Sequence, residues 1–133
     1  MSRARTLRLI RWLAVLPASL AGWYLALAGG IVLHSLATSL CPQALMVSGM
    51  CTANWFPWLE ELIFAITAAL AAFLVVWLAT LCCPAGKARV ASIAFVLGAL
   101  VAILFAAELH IWLPPLAALV SGLLTLRWLR RRQ

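Results

Sequence analysis

Every charge in this chain stands outside a long apolar run, and the two signs never share a connection. Arg3, Arg5, Arg8 and Arg11 precede the first apolar run, Lys87 and Arg89 lie in a short middle loop, and Arg127, Arg130, Arg131 and Arg132 close the chain. The three acids, Glu60, Glu61 and Glu108, take the alternate connections. Translocating arginine and lysine across a bilayer is disfavoured, so such residues collect on the cytoplasmic side. The alternation predicts an all-α integral membrane protein, a four-helix bundle made of two antiparallel transmembrane hairpins with both the N-terminus and the C-terminus cytoplasmic.

Composition excludes the main rival class. Two thirds of the residues are hydrophobic, a tenth are charged, and the mean hydropathy is +1.12, which no ordinary soluble domain of this length can carry. The formal net charge of +7 would suit nucleic acid only if the arginines decorated a folded face. Here they flank apolar runs, so the expected counter-charge is an anionic lipid headgroup of the bilayer.

A single membrane domain over 1–133 is therefore expected, with spans near 12–36, 61–81, 90–107 and 112–128. The first is long enough for the roughly 30 Å hydrocarbon core even when tilted. Its Pro17 falls near the first helical turn, where a missing N–H matters least. The fourth is short and needs its helix to run on through Arg127 and Trp128, whose side chains can reach the interface. Trp12, Trp55, Trp58, Trp112 and Trp128 fall at the expected interfaces, whereas Trp23, Tyr24 and Trp77 lie deeper and are expected to pack between helices. Ala26-Leu27-Ala28 before Gly29 imitates a signal cleavage site, but the apolar run continues through Ile31, Val32 and Leu33, as an anchor's would.

Helices in lipid associate where small residues let backbones approach. Ala18, Gly22, Ala26 and Gly30 repeat every four residues in the first span, and Ala94, Gly98, Ala102 and Ala106 do so in the third. These two rails are expected helix-packing faces, closing the chain's own bundle or docking a membrane-protein partner or a second copy.

The connection near 37–59 is expected to be periplasmic and is unusually apolar, with Leu45, Met46, Val47, Met50, Trp55 and Phe56 and no charge before Glu60. It holds Cys41 and Cys51, which in an oxidising compartment are expected to form a disulfide with Ser48-Gly49 as the turn between them. A catalytic dithiol normally has closer spacing, and Cys82 and Cys83 belong to the opposite side of the membrane, where they read as packed thiols.

Glu60 and Glu61 are read as first-turn residues of the second span, where the helix dipole welcomes negative charge. Glu108 ends the third span, where its charge is disfavoured and needs a partner. His110 and His34 lie on the same side, so Glu108, His110 and His34 form a candidate proton or cation site. No metal site and no cofactor motif is expected, and no nucleotide loop, metalloprotease helix or serine elbow is present.

The expectation that follows is a non-enzymatic accessory, assembly or protective subunit of a bacterial inner membrane. Arginine in preference to lysine and abundant alanine suit a GC-rich bacterial genome. A homo-oligomeric carrier of ions or small solutes using Glu108 is the first alternative, and a membrane thiol oxidoreductase the second.

Overall fold

The computed structural model describes residues 9–83 and 85–132, so Arg3, Arg5 and Arg8 lie outside the described residues. Four long helices follow one another: α1 (Val15–Ser39), α2 (Phe56–Cys82), α3 (Lys87–Leu109) and α4 (Leu113–Arg131). Between α1 and α2 a short 3₁₀ turn, Gln43–Leu45, leads into two-residue strands β1 (Met46–Val47) and β2 (Met50–Cys51).

Among the described residues three helices, Leu9–Ser39, Phe56–Cys82 and Lys87–Glu108, are long and apolar enough to cross a membrane, which makes the chain a multi-pass membrane protein by architecture. The helical path into α1 pauses at Ala14 because Pro17 has no N–H for the carbonyl of Leu13, yet Ala14 and Ala18 still donate to Ile10 and Ala14. The fourth helix is not among the three. It opens with Pro114 and Pro115 in its first turn, where proline is favoured, and three of its last five residues are arginines.

The two boundaries that flank the first connection differ from expectation. α1 runs on to Ser39, and α2 starts at Phe56 rather than near Glu61, leaving an irregular connection over 40–55. Pro57 in the first turn sets the start of α2. Glu60 and Glu61 consequently fall in the second turn, one step away from the free N–H groups that a first-turn acid would meet.

Helix α2 is the hub, packing extensively on α1 along one side and on α4 along another, while α3 seats more lightly against α2 and α4. In α1 and α2, which run antiparallel, Gly22 lies on the Leu74 backbone and Gly30 on Thr67, and Ala26 between them is fully buried. A methyl group on Gly22 would sit 3.1 Å from the Leu74 carbonyl, and one on Gly30 would sit 2.5 Å from Thr67 Oγ1. The small residues of this rail are what let the two backbones meet.

On the other side of α2, Ser121 Oγ of α4 donates to the Ala69 carbonyl at 2.8 Å, and Gly122 receives the Phe95 ring of α3. Val76, Ala91 and Leu126 form the three-helix core there. In the α3 rail Ala106 is buried and Ala94 packs at that core, but Gly98 faces open space. Trp23 and Tyr24, expected between helices, instead stand exposed on α1, edge to face at 5.3 Å. In a bilayer an aromatic ring needs no protein cover, so the inner face of α1 goes to the small residues that approach most closely. Trp77 is half-buried and stacks on Phe73 one turn earlier, at 5.8 Å.

Candidate functional site

The end of the molecule where α1 finishes and α2 begins carries most of the polar and covalent chemistry. Ser48 and Gly49 both have positive φ, 52° and 82°, the twist that a two-residue hairpin turn requires. They pair Val47 with Met50 and Met46 with Cys51 in antiparallel register. Thr52 braces the base of this hairpin, donating through both its N–H and its Oγ1 to the Leu45 carbonyl.

Cys41 and Cys51 are joined by a disulfide, with Cα atoms 6.0 Å apart, that ties the end of α1 to β2. Below it, Phe56 is buried with Ala37, Ala53 and Ile63, and Cys51 and Leu59 pack around them. The connection is thus a clasped cap. Its inner side plugs the gap between two helix ends, while Val47, Met50 and Trp58 stay exposed, Met50 at 70% and Trp58 at 76%.

Beneath the cap, α1 and α2 separate into a crevice of about 310 Å³ lined by Leu27, Ile31, Ile63 and Phe64, with His34 and Glu60 at its rim. His34 Nδ1 lies 3.9 Å from Glu60 Oε1, and the imidazole meets the Phe56 ring edge to face at 6.1 Å. Both side chains are about two-fifths exposed, so the pair is an interfacial contact that becomes an ion pair only when the imidazole is protonated.

Of the expected grouping of His34, His110 and Glu108, His34 has an acidic neighbour in Glu60 on the adjoining helix. Glu108 is exposed at the penultimate position of α3. His110 terminates that helix in the left-handed conformation, φ 55°. Among the described residues no three histidine, cysteine or acidic side chains gather at spacing fit for a metal ion. Glu60 is the residue that sequence reasoning passed over. The Phe56-Pro57 pair marks the earlier helix start that takes Glu60 out of the first turn, while its meeting with His34 is set by how α1 packs on α2.

Cys82 and Cys83 end α2 at the far side of the molecule, separated from the cap by a helix about 39 Å long at 1.5 Å per residue. Neither is bonded to another cysteine, and buried Cys83 donates from Sγ to the Ala85 carbonyl. No thiol exchange can run between the two pairs within one chain.

No family model matches the chain, and no curated protein and no solved structure matches it.

Proposed function

We propose that this protein is a non-enzymatic accessory, assembly or protective subunit of a bacterial inner membrane, docking through the disulfide-clasped cap. The single observation that carries this reading is the cap itself: a covalently closed, charge-free hairpin that holds Val47 and Met50 outward. A closed hairpin presents such groups on a fixed backbone, so little loop freedom is lost when a partner covers them. The periplasmic placement of the cap and the cytoplasmic placement of both termini are supported by the arginine distribution and by the oxidising conditions that a disulfide needs.

The test is purification of the full chain from its own membrane in mild detergent, with mass measured by light scattering. The expected result is a defined assembly larger than one chain that Met50→Glu dissociates while helix content and melting are unchanged. A chain that emerges alone, or an assembly indifferent to Met50→Glu, overturns the reading. The Glu108 carrier receives less support from the geometry, since His34 is turned to Glu60 and Glu108 is an exposed helix-end residue. Glu108→Gln separates the two: a folded variant with biological function intact speaks for the docking subunit, and a folded inactive one for the carrier.

A further inference from the structure

An open groove of about 780 Å³ runs along α2 and α4, walled by Ala69 and Phe73 on one helix and by Leu116, Val120, Leu124 and Trp128 on the other. The four residues of α4 repeat every fourth position and so form one stripe. Continued by three and by four residues past Trp128, that stripe arrives at Arg131 and Arg132. The Arg132 guanidinium lies 4.2 Å over the Trp128 ring, at the end of the groove wall. Arg130, on another face, is engaged elsewhere, donating from Nη2 to Ser92 Oγ of α3 at 3.1 Å.

We propose that the groove and the Arg131–Arg132 pair together bind one anionic diacyl phospholipid, with an acyl chain lying along Leu116–Trp128 and the phosphate held by the two guanidinium groups. The dimensions agree. Residues 113–128 rise about 22 Å as a helix, more than half of the roughly 30 Å hydrocarbon core, so a chain from one leaflet lies alongside with its headgroup at the arginine end. The chemistry agrees as well, because guanidinium groups recognise phosphate through paired N–H donors and an indole belongs at the level where tail meets headgroup. A second copy placed parallel on the same groove would set its own basic terminus against Arg131 and Arg132, so charge complementarity selects an anionic occupant.

The experiment is native mass spectrometry of the full chain in mild detergent, titrated with phosphatidylglycerol or phosphatidylcholine of matched acyl chains. One phosphatidylglycerol per chain is expected to be retained in preference to phosphatidylcholine. R131Q/R132Q should weaken it about tenfold or more, from the typical attraction of a juxtamembrane arginine for anionic lipid. The charge-matched K87Q/R89Q, altered at the same end but on α3, away from the stripe, should weaken it far less. Ala117→Trp, which fills the groove and leaves every arginine in place, should weaken it as R131Q/R132Q does. Because these two variants alter different parts of the site, failure of one to fold leaves the other as a test; helix content and melting in detergent decide which are used. Equal losses in both arginine variants would mean diffuse attraction and overturn the proposal. So would indifference to Ala117→Trp, competition by free glycerol phosphate at equal strength, or a dimer that Ala117→Trp dissociates with no lipid preference.

Discussion

Ser48 holds φ 52° without being glycine or asparagine, a left-handed conformation that disfavours a side chain with a Cβ by about 1 kcal/mol. Because the turn needs that conformation, Ser48→Asn should raise the stability of the cap by up to about 1 kcal/mol and Ser48→Val should lower it. Thermal melting in detergent reads both, and a destabilised Ser48→Asn would argue against this turn. The disulfide acts at the same scale. Cys41→Ser should lower stability by roughly 2–3 kcal/mol, since a closed loop of this size restricts the unfolded chain by about that much. The expected signature is faster hydrogen exchange over 45–52 with α3 and α4 unchanged, and uniform loosening of all four helices would contradict a local role.

Among helices the deciding contacts are glycines, and they are not equivalent. Gly22 meets the Leu74 backbone, which cannot yield, whereas Gly98 meets nothing within 4 Å. Gly22→Val should therefore push α1 from α2 and cost about 1–3 kcal/mol, the usual range for an overpacked contact. Gly98→Ala should be neutral or up to about 1 kcal/mol stabilising, because alanine favours the helix. Denaturation in mixed micelles compares them directly, and equal losses would mean that Gly98 packs against something as Gly22 does. Ser121 gives a third measure between elements. Removing its hydroxyl should cost about 0.5–1.5 kcal/mol, the range of an interhelical hydrogen bond in a membrane.

For the whole molecule the decisive quantity is the side of the membrane that each end occupies. Three helices have spanning length and apolarity, and α4, at 19 residues, is about 28 Å long with its arginines included. If α4 crosses with Arg127 reaching to the interface, reporters fused after Gln133 and within Met46–Met50 should report opposite sides, the first cytoplasmic and the second external. A reporter after Gln133 that reads external would leave three crossings and place α4 against the outer surface.

The helical character of this chain, its membrane solvent and the proximity of Cys41 to Cys51 were legible in the sequence, because long apolar runs, charge placement and a short closed loop are local properties. The α1 rail was legible as small residues at four-residue spacing, but not its destination. Neighbour choice was not legible. Apolar residues line nearly every face of these helices, so no amphipathic stripe tells α1 to pack on α2, Trp23 and Tyr24 to turn outward or Gly98 to stay open. Steric fit between particular side chains decides those matters, and it exists only once helices are set side by side. The same holds for His34, whose pairing with Glu60 depends on how α1 and α2 align across the cap. What the sequence determined alone was the solvent and the elements; the tertiary structure decided which faces meet, because in lipid that choice rests on close contact rather than on burial from water.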